Sequence, residues 1–244
     1  MFEPRKLRVI YRIQKPDGRQ VELDNRVDEN GLLEGLPDQG PDWTRLNGNR
    51  CAGCNARHRS CRAAVAIAPV VDAFKTMDSL EHVAVSVVMA NYTAEVICPA
   101  SKVVSSIMGL RMAASGCAKI APFRAMALYH QPFSSLEETV IRAAGFMLLG
   151  RWAHGTLATN DPFASLIVAW DNLEEVNLRV AQALQEHGST DAALNGLVNL
   201  DMFAKAGGLG LKRALDALKP ALLAWDMARD FSLPTSIAVP EMAR

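Results

Sequence analysis

The stretch Cys51-Ala52-Gly53-Cys54-Asn55-Ala56-Arg57-His58-Arg59-Ser60-Cys61 restricts the fold more than any other part of the chain. Two cysteines separated by two residues can set both thiolates on one metal ion. Cys61 follows after six residues rich in positive charge. A closed site needs a fourth ligand. The remaining thiols, Cys117 and Cys98, lie far along the chain, and His58 is a nearer donor of another type. Closure by Cys117 would pin a loop near the start of the chain to a helix end near its middle. The spacing differs from the standard zinc patterns, which need a second close pair. It also differs from the cysteine run of bacterial ferredoxins. The competing account makes these thiols small buried hydrophobes. The charged and small polar residues around them suit a metal site better than a plain core.

Composition narrows the setting. At 244 residues, half of them apolar, the chain can bury a substantial core and is not a disordered protein. Lys plus Arg equals Asp plus Glu, 26 each, so nothing in the total points to nucleic acid or to an anionic membrane. The opening Met-Phe-Glu-Pro-Arg-Lys has no apolar core of the signal-peptide kind. With an odd number of cysteines, five, a reducing cytoplasm is the expected compartment, its thiols free or metal-bound. The longest apolar runs, such as 63–71, are too short and broken to span a bilayer.

Periodicity supplies the elements. Leu7, Val9, Tyr11 and Ile13 alternate onto one face, Lys15-Pro16-Asp17-Gly18 is a turn, and Val21, Leu23 and Asn25 lie on a return strand. Trp43 and Leu46 are expected to seat the cysteine loop on the body. Residues 62–77 read as a helix burying Ala64, Ile67, Val71 and Phe74, with Pro69 kinking it or ending its first turn. Cys61 then falls at the helix N-terminus, where exposed amides favour a thiolate. Residues 82–98 form a second hairpin, with Cys98 a packed strand residue. Everything after Pro99 reads as helical: 101–114, with a glycine cap at Gly116 that brings Cys117 out at a helix terminus; 121–129; and a helix to about Trp152 opened by a Ser134–Glu137 capping box. Asp161-Pro162 opens a helix to about His187, and 189–205 and 211–229 complete the set.

Several segments together resemble an uncharacterised bacterial family of unknown function. They are the first hairpin, Asp42-Trp43-Thr44-Arg45-Leu46, the cysteine loop, Gly109-Leu110-Arg111-Met112-Ala113-Ala114-Ser115-Gly116-Cys117, His130-Gln131-Pro132-Phe133-Ser134-Ser135-Leu136-Glu137-Glu138-Thr139 with Arg142, and Leu194-Asn195-Gly196-Leu197-Val198-Asn199-Leu200-Asp201. The resemblance runs from about residue 7 to about residue 225. It implies that Cys51, Cys54, Cys61 and Cys117 act as one group. The family pattern has proline after several of these cysteines, where this chain has Ala52, Asn55, Arg62 and Ala118. Proline there is common around iron–sulfur clusters, and its absence favours another metal.

Three groups carry candidate chemistry. Four thiolates on zinc would form a closed, structural site, whereas the same four on an iron–sulfur cluster could pass electrons. Arg50, Arg57, Arg59 and Arg62 would offset the negative charge of such a site, or simply form a solvated loop or a small anion- or partner-binding patch. His130, Glu137, Glu138 and Arg142 are a possible second metal or acid–base site. Their structural alternative is the capping box, an ion pair from Glu138 to Arg142 and a turn at His130. Asn195, Asn199 and Asp201 are read the same way: Asn195 and Asn199 share a helix face and are expected to bond across the bundle rather than to a ligand. Ala206-Gly207-Gly208-Leu209-Gly210 lacks the lysine of a phosphate loop and reads as a turn between helices.

The expected fold is α+β: two β-hairpins forming a small antiparallel sheet (residues 1–99), then a mainly helical bundle (100–231) and a loose tail (232–244), together one unit. The expected function is that of a cytoplasmic, non-enzymatic protein with structural zinc on Cys51, Cys54, Cys61 and Cys117, acting as an adaptor or subunit of an assembly. Its partner would be another protein or a second copy. The rival is an iron–sulfur redox protein or enzyme that uses His130 and Glu138.

Overall fold

A computed structural model describes residues 3–46, 50–54, 57–156, 163–188 and 191–222. Strand β1 (Leu7–Gln14) turns into β2 (Gln20–Val27), and the turn closes by Gly18 N–H donating to Lys15 O at 2.9 Å, with Gly18 at φ +83°. That positive φ is one that glycine adopts without penalty. Strands β3 (His82–Val88) and β4 (Thr93–Pro99) form the second hairpin, and β1 pairs antiparallel with β3. The sheet order is therefore β2-β1-β3-β4, one four-stranded antiparallel sheet, and the protein is an α+β fold.

One face of the sheet is dry and the other wet, as period-two patterning requires. Leu7, Val9, Tyr11, Ile13, Val83, Val85, Val87 and Cys98 are buried together. On the outer face Arg12 meets Glu22, its register partner, at 2.9 Å. Arg8 and Arg26 stand opposite each other there, and Asp24 bridges them at 2.9 and 3.1 Å.

Two helices belong with the dry face. Helix α1 (Arg62–Ala73) buries Ala64, Ile67 and Val71, with Phe74 beyond it, while Asp72 and Lys75 stay exposed. Pro69 sits inside α1 on its exposed side, so the helix absorbs the proline instead of ending there. Lys15, almost wholly buried, donates to Ala73 O at 2.8 Å and satisfies a carbonyl at the end of α1. Helix α2 (Ala100–Ala113) follows β4 directly. Its Arg111 donates to Asn25 Oδ1 at 2.7 Å and to Ala66 O, so one buried guanidinium joins β2, α1 and α2. Burial lowers the Arg111 pKa to about 10, which still leaves it charged at neutral pH.

After α2 come a tight 3-10 turn (Ala118–Phe123), α3 (Arg124–Leu128), α4 (Leu136–Ala153), α5 (Ala164–Glu186) and α6 (Asp191–Leu222). The apolar core is one cluster that runs from the sheet through α1 and α2 into α4, α5 and α6. No described helix is long and apolar enough to cross a membrane.

Two expectations are corrected here. The stretch 206–210 is not a turn: α6 runs unbroken through it, replacing the two helices expected at 189–205 and 211–229. Gly207 serves close packing, because a methyl group there would strike the Trp170 ring. The capping box is Ser135 with Glu138, one residue later than Ser134 with Glu137. Phe133, at φ +59°, turns the chain first, and Ser134 Oγ donates instead to Gln131 O at 2.6 Å. The expected caps Asp161-Pro162 and the tail 232–244 lie outside the described residues.

Candidate functional site

The cysteine loop is stitched shut at its base. Leu46 N–H donates to Arg59 O at 2.9 Å, Cys61 N–H donates to Thr44 O at 2.7 Å, and Arg45 pairs with Ser60. Leu46 is buried and Trp43 packs against the core, as expected of anchors. Within the loop, Cys54 N–H donates to Cys51 O at 3.0 Å across a turn that holds Gly53 at φ +66°.

Cys61 and Cys117 occupy equivalent places. Cys61 immediately precedes α1, and the amides of Ala64 and Ala63 face its sulfur. Cys117 immediately precedes the 3-10 turn, and the amides of Lys119 and Ile120 face its sulfur. Gly116 at φ +79° delivers Cys117 there from the end of α2. Backbone amides directed at sulfur favour the thiolate over the thiol.

The four thiols lie within electrostatic reach of one another in every pairing. Cys51 senses Cys61, Cys117 and Cys54; Cys61 senses Cys117 and Cys54; and Cys117 senses Cys54. Burial pushes Cys51 up to about 12 and moves Cys61 and Cys117 in the same direction. Cys98 stands apart: it is buried in β4, and the charge that reaches it is that of Lys102. All five cysteines are free. Among the described residues, no three His, Cys, Asp or Glu side chains stand close enough together to hold a single metal ion.

One carboxylate that the sequence reading did not single out ties this region together. Glu175 on α5 accepts the amide of Ala52, between the first two cysteines, and also accepts from Lys119 Nζ at 2.5 Å. Lys119 also donates to Asn172 at 3.2 Å. The proximity of Lys119 to Cys117 was visible in the sequence; the Glu175 connection, 123 residues from Ala52, had no local signal. His58 faces Asp38, with Nδ1 3.6 Å from its carboxylate. Arg62 donates to Pro37 O at 2.8 Å and to Ser115 O at 3.3 Å, bridging the loop after β2 to the end of α2.

The second candidate set separates. Glu138 accepts from Ser135 N–H at 2.7 Å in the capping box, and Glu137 is exposed. Arg142 donates to Tyr129 O at 3.1 Å and to Ser134 Oγ at 3.0 Å in place of the expected ion pair with Glu138. His130 turns inward, its Nε2 2.6 Å from Tyr11 Oη, and Tyr11 Oη lies 2.8 Å from Ser106 Oγ. Ser106 Oγ also accepts Phe133 N–H at 3.2 Å, so Ser106, Tyr11 and His130 form one hydrogen-bonded chain. Burial, and then the charge of Arg142, push His130 down to about 3, so the ring is neutral. Asn195 donates to Asp191 at 2.6 Å, within α6 rather than across the bundle.

Fold and site together define an α+β protein with four free thiols in electrostatic reach of one another where the loop preceding α1 meets the helical layer. The chain belongs to the family described as a domain of unknown function, DUF6901, whose model matches residues 9–222. No curated protein and no solved structure matches the chain.

Proposed function

We propose that Cys51, Cys54, Cys61 and Cys117 bind one metal centre that fastens the cysteine loop to the helical layer, in a cytoplasmic protein that serves as an adaptor or subunit of an assembly. What supports this is the electrostatic reach of the four thiols on one another, from which Cys98 is excluded; they do not stand at ligand distance in this structure, so the metal would draw them together as it binds. Four thiolates suit zinc and leave no open coordination position, so the centre is structural. The assembly role is supported by Leu149 and Trp152, 60% and 48% exposed near the end of α4.

A second reading, an iron–sulfur cluster, is favoured by one feature. The amides of Ala64 and Ile120 face the sulfurs of Cys61 and Cys117, and hydrogen bonds to sulfur tune cluster potentials. Elemental analysis and the visible spectrum of protein purified without chelators decide the matter. Stoichiometric zinc with no visible absorption supports the first reading. A broad visible band with bound iron replaces it with the second. A metal-free protein overturns both.

A further inference from the structure

A cavity of ≈ 270 Å³ lies between α2, the 3-10 turn, α3 and the helices α4 to α6, with no cysteine in its lining. Its body is apolar, formed by Leu110, Phe123, Trp170, Leu173, Leu200 and Phe203. Its polar side chains include Ser106, His130, Ser134, Arg142 and Asn199. Among the described residues its charged lining is Lys102 and Arg142, and no carboxylate contributes. Mostly apolar walls with a few placed polar groups are the usual make-up of a small-molecule site.

One charged group at the polar end has a nitrogen that lacks a partner among the described residues. Arg142 uses its terminal nitrogens on Tyr129 O and Ser134 Oγ, but its Nε is buried with no acceptor. A buried charged donor without an acceptor is destabilising, and an anion would satisfy it. Next to it His130 lines the cavity, its Nε2 held 2.6 Å from Tyr11 Oη. Beside them Phe133 holds a left-handed backbone, φ +59°, with its amide fixed on Ser106. Strain of this kind persists where surrounding structure over-determines it, and it clusters at binding sites.

We infer that this cavity binds a small carboxylic acid with an apolar body, the carboxylate on Arg142, beside His130, and the apolar part against Trp170 and Leu200. The inference does not rest on the metal reading, since no cysteine lines the cavity.

Calorimetry with octanoate, octan-1-ol and acetate on the full chain tests it, with thermal melting as a second readout. Octanoate is expected to bind saturably and to raise the melting temperature, octan-1-ol to bind more weakly, and acetate not to bind. Arg142→Gln should weaken octanoate by about tenfold, the loss of a charge-assisted bond, and leave octan-1-ol unchanged, which also shows that the variant is folded. Ala113→Phe, which fills the body of the cavity, should abolish binding of both. Equal affinity for acid and alcohol, an Arg142→Gln variant that binds octanoate as the parent does, undiminished binding by Ala113→Phe, or no saturable binding by either chain would overturn the proposal.

Discussion

Lys119 Nζ lies 2.5 Å from Glu175 Oε2, and the other oxygen of that carboxylate accepts the amide of Ala52. A residue between the first two cysteines and a residue two places after Cys117 thus share one acceptor on α5. Lys119 first, and then the Ala52 amide, hold Glu175 below the usual carboxylate range. The pair is 19% and 25% exposed, so water screens it only in part. Glu175→Ala is expected to cost about 1 kcal/mol of unfolding free energy, measured by urea denaturation. It should also speed alkylation of Cys51, because the loop loses its tie to α5. Unchanged thiol reactivity would show that the carboxylate does not hold the loop.

Cys117 and Cys98 offer a matched comparison. Both are free thiols, but Cys117 reaches the other three and Cys98 does not. Cys117→Ala should lower the metal content and loosen the whole fold, since a structural metal contributes directly to the stability of the folded state. Cys98→Ala should keep the metal and cost only about 1 kcal/mol, the effect of a small deletion in a buried strand. Elemental analysis paired with thermal melting reads both. Equal losses in the two variants would remove the distinction on which the metal proposal stands.

The sheet was legible because its alternation is strict: Leu7, Val9, Tyr11 and Ile13, and then Val83, Val85 and Val87, announce a dry face, and all seven are buried. The positions of Cys61 and Cys117 at element starts followed from the apolar run after one and the glycine before the other. What escaped depends on packing partners far away in sequence. The glycines at 207 and 210 looked like a break because propensity is local, whereas Gly207 answers to Trp170 on another helix. Asn25 and Arg111 were visible as polar residues in apolar surroundings, but their bond joins positions 86 apart. His130 and Glu138 lie close in sequence, yet one faces Tyr11 and the other caps a helix.

The glycines in α6 make opposite predictions under one substitution. Alanine is the better helix former by about 1 kcal/mol. At Gly210 the nearest atom to an added Cβ is Val140 Cγ2 at 3.6 Å, an ordinary contact, so Gly210→Ala should stabilise by up to about 1 kcal/mol. At Gly207 the added methyl would strike the Trp170 ring, and overpacking of this kind costs about 1–3 kcal/mol. Gly207→Ala should therefore destabilise. Urea midpoints of the two variants check this; stabilisation at both positions would mean that α6 does not press against Trp170.

His130 makes stability depend on pH in a direction set by its burial. In the folded chain its pKa is pushed down to about 3, while in the unfolded chain it returns to about 6.5. Between those values the unfolded state carries the proton and the folded state does not, so acid favours unfolding. Stability should be undiminished by this group above about pH 6.5 and fall by on the order of 1 kcal/mol per pH unit below it, easing near pH 3. Carboxylates held below their ordinary range, such as Glu175 and Asp191, add their own loss at lower pH, as each is protonated through its folded value. The window from pH 6.5 to about 5 therefore isolates the histidine. His130→Gln keeps a group able to accept from Tyr11 but cannot titrate, so its melting temperature should stay flat across that window while the parent declines. Parallel declines would place the titrating group elsewhere and leave His130 without the buried, neutral state assigned to it.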